Sequence, residues 1–132
     1  MSEKRSSSNK SGARLKIQAR LMLEDEIAFG PGKADLLDAI ADTGSISAAA
    51  KRLGMSYRRT WLLVDTINRC FQQPLVETAT GGAQGGGTQL TESGVEILRR
   101  YRQMQADIFT ASEKHFAELK PLLRKKPVPP AS

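Results

Sequence analysis

A mainly α-helical fold with a small β component is what this sequence predicts, and three observations carry the expectation. Apolar residues recur at helical spacing over most of residues 31–119. Glycine, serine and proline stand where those runs begin and end. A glycine-rich stretch, "GGAQGGG", separates two short runs of strand-forming residues.

Residues 1–14 are serine-rich, polar and basic, and are expected to form a disordered arm. Leu15, Ile17, Ala19, Leu21 and Leu23 then alternate with Lys16, Gln18 and Arg20, the period of a half-buried strand. "GPGKADLLDAIADTG" opens on Gly and Pro, closes at Gly44, and sets Leu36, Leu37, Ile40 and Ala41 on one face of a short helix. Ser47 can cap a second short helix, "AAAKRL", that Gly54 ends. Ser56 can cap a third, which runs to about Phe71 before Pro74. "LVETAT" and "TQLT" are expected as a hairpin, and from Thr91 a long helical pattern reaches about Leu119, with Pro121 beyond. Residues 120–132, rich in Pro and Lys, are expected to be a disordered tail.

The order strand, helix, helix, turn, helix, hairpin, helix is that of a winged helix-turn-helix domain (15–91) with an added C-terminal helix (92–119). Ala49 and Ala50 are small enough for two helices to cross closely, and Gly54 accepts the left-handed turn between them. Leu53 and Met55 would fill the wedge. Thr60, Trp61, Val64, Ile67 and Phe71 form the inner face of the third helix, which leaves Arg58, Arg59, Leu62, Asp65, Thr66 and Arg69 outside.

Charge sharpens this picture. The chain of 132 residues carries a net charge of +6 with a pI near 9.8, which favours a polyanionic partner. Residues 24–42 hold six carboxylates against Lys33, whereas residues 45–73 hold Lys51, Arg52, Arg58, Arg59 and Arg69 against Asp65. Arginines at a helix start oppose the positive end of the helix dipole. That local penalty makes sense where the charge serves double-stranded DNA, since arginine bonds guanine edges and phosphates alike. Ser56, Tyr57, Arg58 and Arg59 are therefore the expected groove contacts, followed by Thr66 and Arg69. Lys51, Arg52 and Ser47 complete the expected DNA surface. The rival reading is a winged-helix module that uses the same face for an acidic protein.

Enzymatic and membrane classes find little support. His115 is the only histidine and Cys70 the only cysteine, so there is no internal disulfide or CxxC motif, and neither a histidine-based metal cluster nor a Ser-His-Asp triad is expected. Cys70 falls in an apolar pattern and is expected to be buried. Gly81 and Gly86 have phosphate-loop spacing, but Gly87 stands where that loop requires lysine. Asp35, Asp38 and Asp42 are expected to be a solvated helix side. No signal peptide or membrane span is visible, and the expectation is a cytoplasmic regulator, not an enzyme, with no cofactor or metal.

"GSISAAAKRLGMSYRRTWLLVDTIN" followed by "LVETATGGAQGGGTQLTESG" closely resembles the N-terminal DNA-binding domain of the ModE family of molybdate-responsive bacterial repressors, over roughly residues 15–105. A looser likeness to the LysR-type winged helix covers the same helices. The resemblance implies a dimeric, sequence-specific DNA-binding regulator. It implies that the Ser56–Arg59 segment enters the major groove and that a wing at Thr80, Gly81, Gly82, Gln84 and Gly85 lies on the backbone. Thr78, Ala83 and Glu92 occupy positions where that family carries basic residues. The family's molybdate-binding domains have no counterpart after Leu119, so molybdate binding is not expected of this chain.

A homodimer is expected through the last helix. Ile97, Tyr101, Met104, Ile108, Ala111 and His115 recur at alternating four- and three-residue steps, the coiled-coil spacing. The alternative use of the same stripe is packing on its own domain.

Overall fold

The computed structural model describes residues 12–79 and 87–131. They form two compact units: Gln18–Ala106, and the described residues up to Ile17 together with those from Asp107 onward.

In the larger unit β1 (Leu21–Leu23) and β2 (Glu26–Phe29) form an antiparallel hairpin. Its two-residue turn puts Glu24 at φ 52, the left-handed conformation that tight hairpins need. The strand expected over residues 15–23 is therefore shorter, and residues 14–20 have no regular structure. The reason lies in pairing. A strand needs a partner for its backbone groups, and four-residue β2 reaches only Leu21–Leu23. A bulge at Ala28 turns both Ala28 and Phe29 into the core.

α1 (Pro31–Thr43) starts behind Gly30 with Pro at its first turn and ends at Gly44, φ 69. Leu36, Leu37 and Ile40 are buried as expected; Ala34 and Ala39 join them, while Ala41 is exposed. α2 (Ile46–Leu53) is capped by Ser45, whose hydroxyl accepts the Ala48 N–H at 3.1 Å. The cap is thus Ser45 and not Ser47. Burial decides between these two serines, because Ile46 enters the core from the helix's first position and Ser47 stays exposed.

Gly54 closes α2 at φ 69, and α3 (Tyr57–Cys70) follows behind Ser56, whose hydroxyl accepts the Arg59 N–H at 3.0 Å. Thr60, Val64 and Ile67 are buried, with Trp61 and Phe71 half-buried beside them. Cys70 is half-buried rather than enclosed. β3 (Val76–Ala79) and β4 (Gly87–Leu90) pair antiparallel from Val76 opposite Leu90 to Ala79 opposite Gly87. α4 (Glu92–Leu119) begins at Thr91, whose hydroxyl accepts the Gly94 N–H at 3.0 Å and donates to the Pro74 carbonyl at 2.7 Å.

The core gathers Phe29, Leu36, Leu37, Ile40, Ile67 and Leu75, all at most 1% exposed. Each contributes about 1.5–3 kcal/mol of burial. The Phe29 ring meets Phe71 edge-on at 6.0 Å and Tyr101 at 5.0 Å, so β2, α3 and α4 converge on one side chain. Arg102 adds a polar clasp, donating from Nη2 to Asp35 at 3.0 Å and to Asp38. Asp42 accepts from Arg52 at 2.9 Å. The three carboxylates are exposed, as expected of a solvated side, and each also pairs with an arginine.

In the smaller unit the second half of α4 passes into a 3-10 turn, Lys120–Leu122, where a loose tail was expected to begin. The remaining described tail residues are exposed and irregular. Leu15, Phe109 and Phe116 line an apolar cleft. Leu15 is 39% exposed and Phe109 55%. No helix among the described residues is long and apolar enough to cross a membrane.

Candidate nucleic-acid interface

Helix α3 owes its position to α2. Ala49 and Ala50 are buried at the crossing, and the Met55 N–H donates to the Ala50 carbonyl at 2.9 Å, which locks the turn after Gly54. Leu53 and Met55 pack half-buried against the core in that wedge. The turn delivers the start of α3 to the surface, where Ser56, Tyr57, Arg58 and Arg59 are all exposed.

Tyr57 stands edge-on to Trp61, ring centroids 6.2 Å apart, and is 54% exposed. The Ser56 hydroxyl oxygen is used as the helix cap, with its O–H still able to donate. Among the described residues, neither Arg58 nor Arg59 has an ion-pair partner, and Lys51 has none. Such cations keep their full charge for a phosphate or a base edge. Arg52 and Arg69 differ. Arg52 pairs with Asp42 at 2.9 Å. Arg69 pairs with Asp65 at 2.9 Å and reaches Glu26 at 3.9 Å, and it donates to the Thr66 hydroxyl at 3.3 Å. The Asp65 carboxylate holds the Arg69 guanidinium pKa above its ordinary value. Thr66 itself donates to the Leu62 carbonyl at 3.1 Å.

A depression flanked by Ser45, Ser47, Tyr57, Trp61, Thr78 and Thr88 joins the starts of α2 and α3 to the hairpin. Its floor is tied together by backbone, since Thr88 N–H donates to the Gly44 carbonyl at 3.0 Å. The Asn68 side chain fastens α3 to β3 through the Leu75 and Val76 backbone. Asn68 carries no helix-face signal in the sequence, because its partners are found only after the chain has turned back. The expected wing residues Thr80, Gly81, Gly82, Gln84 and Gly85, with Ala83, Gly86 and the phosphate-loop spacing, lie outside the described residues.

The stripe assigned to a partner helix divides. Tyr101 is 3% exposed and its hydroxyl donates to the Ala19 carbonyl at 2.6 Å, while Ile97 and Met104 pack half-buried on the same core. These three serve their own domain. Ile108 is half-buried, and Ala111 and His115 are exposed. Periodicity is the same for either use, so spacing could not separate them.

Two crossed helices behind a glycine turn, an exposed basic helix start and an antiparallel hairpin beside it define a winged helix-turn-helix domain. Residues 33–95 match the family described as bacterial regulatory helix-turn-helix protein, lysR family. The chain is also similar to ModE proteins. It is 39% identical over 98 residues to the molybdenum transport protein ModE of Azotobacter vinelandii, covering 73% of this chain and 36% of that protein. To ModE of Herbaspirillum seropedicae it is 49% identical over 70 residues, covering 53% and 26%. To the DNA-binding transcriptional dual regulator ModE of Escherichia coli K12 it is 39% identical over 85 residues, covering 64% and 32%. The chain thus spans between about a quarter and just over a third of the length of these relatives. Among solved structures, the crystal structure of a CbnR_DBD–DNA complex matches with a TM-score of 0.51 at 22% identity, over 66% of this chain and 94% of that one. That likeness concerns the fold.

Proposed function

We propose that this chain is a transcriptional regulator that binds double-stranded DNA sequence-specifically, with α3 as the reading helix. The observation that carries the reading is the pair Arg58 and Arg59, exposed and without an ion-pair partner among the described residues, at the start of a helix set out by a hydrogen-bonded glycine turn. Tyr57 and Ser56 flank them, Lys51 and Ser47 face phosphate, and Arg52, Thr66 and Arg69 act from within their local pairs. The ModE relatives of Yersinia pestis and Escherichia coli are transcriptional regulators, which supports the same reading.

Selection of bound sequences from a random DNA pool tests it and yields the operator. Enrichment of one motif, with affinity falling linearly against salt on logarithmic axes, is the expected result. Arg58→Ala should cost about 1–3 kcal/mol and relax preference at one base pair. No enrichment, together with capture of acidic peptides on the same face, would favour the protein-interaction reading.

The chain acts as a homodimer in this proposal. Phe109 and Leu15 leave apolar surface open in the smaller unit, which supports an interface of Ile108, Ala111 and His115 with their apolar neighbours. Two reading helices would then meet half-sites about 34–36 Å apart. A monomer in sedimentation at micromolar concentration, with and without DNA, refutes this.

A further inference from the structure

A second basic feature shares Arg59 with the start of α3. A cavity of about 410 Å³ opens at the start of α1, and Arg20, Lys33 and Arg59 line it together with Leu53, Met55 and Leu63. The three cations come from three places in the chain: the segment before β1, the first turn of α1, and the first turn of α3. Among the described residues neither Lys33 nor Arg59 has an ion-pair partner, and Arg20 donates to the neutral Gln18 side chain at 3.0 Å. The one carboxylate in the lining, Asp35, is already held by Arg102 at 3.0 Å.

Three like charges around one concavity raise the positive potential there and favour an anion within it. Burial lowers the pKa of the half-buried Lys33 ammonium; Cys70 and Glu26 raise it, and Arg59 and Arg20 push it down again. Arg59 also differs from its neighbour Arg58 in direction, sharing this side of α3 with Leu63 one turn further on.

We propose that this cavity binds a phosphate-class oxyanion, gripped by Arg20, Lys33 and Arg59. Its charge suits a tetrahedral oxyanion, which the cavity has ample room to admit, supplied either by the DNA backbone beside the groove or by free phosphate. The backbone source rests on the DNA-binding reading above; the free source does not. With DNA in place, Arg59 contacts phosphate, and base reading falls to Arg58 and Tyr57.

The test has two arms, run on the full chain, with Lys33→Gln and the exposed Arg20→Gln as variants and thermal unfolding as the folding control. In the first, inorganic phosphate is titrated into protein at low ionic strength while backbone amide resonances are followed. Saturable shifts at Gly32 and Lys33, lost in both variants, establish a free-anion site. In the second, DNA affinity is measured against salt. A log–log slope reduced by about 1 per variant, with affinity lowered equally on all sequences, assigns the site to the backbone. A folded variant with unchanged slope, and no saturable phosphate shifts, overturns the proposal. If the wild-type chain retains no DNA at all, the function proposed above fails, and the phosphate arm alone still decides the cavity.

Discussion

Asn68 and Val76 exchange hydrogen bonds in both directions: Asn68 Nδ2 donates to the Val76 carbonyl at 3.0 Å, and the Val76 N–H returns to Oδ1 at 3.2 Å. The same Oδ1 accepts the Leu75 N–H at 2.9 Å. One amide therefore replaces a strand partner for the edge of β3 and fixes the hairpin to α3. Asn68→Ala would strand two part-buried N–H groups, at about 1–3 kcal/mol. Urea unfolding should show that loss. Asn68→Asp, which retains the acceptor, should lose less; equal losses would mean that the donor arm matters more.

Gly94 lies against the Leu75 backbone so closely that a Cβ there would collide with the Leu75 carbonyl oxygen. Gly94→Ala should lower stability by about 1–3 kcal/mol, because either α4 or the start of β3 must move. An unchanged melting temperature would show that the contact yields without cost.

Tyr101 links alkaline pH to stability. Burial pushes its phenol above the ordinary value of 10.0, with Asp35 adding to the shift and Arg102 and Arg20 opposing it. The neutral form is the one that fits the core, so its contribution is complete below pH 10. It is lost as the pH climbs from there through the raised folded value. Tyr101→Phe should cost about 0.5–1.5 kcal/mol at neutral pH through the missing bond to Ala19. It should also flatten the alkaline limb of a stability–pH curve; an identical limb in both proteins would sink this account.

The helices were legible because their ends carry the right residues: Gly30 with Pro31, Gly44, Gly54 and Ser56. β2 was not legible, since Glu26–Phe29 is too short for alternation to register and its bulge turns two successive residues inward. Ser45 and Ser47 are equally competent caps, and only the burial of Ile46 chooses between them. In the candidate site the residue types were legible, but their partners were not. The bonds from Arg102 to Asp35 and Asp38, and from Asn68 to Val76, join positions that meet only after folding. Nor could spacing alone tell that Arg58 and Arg59 part company around α3.

The Arg52–Asp42 pair gives a prediction of opposite sign. Both side chains are substantially exposed, so the bond contributes little to stability, at most about 1 kcal/mol. Asp42→Asn should release Arg52 toward phosphate. DNA affinity should rise, and the salt dependence should steepen by up to about 1 in log–log slope. Unchanged affinity and slope would place Arg52 beyond reach of the backbone.

The meeting of Phe29, Phe71 and Tyr101 has a consequence for the order of synthesis. The ring that ends β2 is made early, yet its second aromatic neighbour comes from α4, late in the domain. Helices α1 to α3 can form local contacts as they leave the ribosome, but the pocket around Phe29 stays open on one side until Tyr101 emerges. Completion of the core is therefore a late, long-range event, and a nascent chain halted before Tyr101 exposes an unfinished apolar surface of the kind that chaperones recognise.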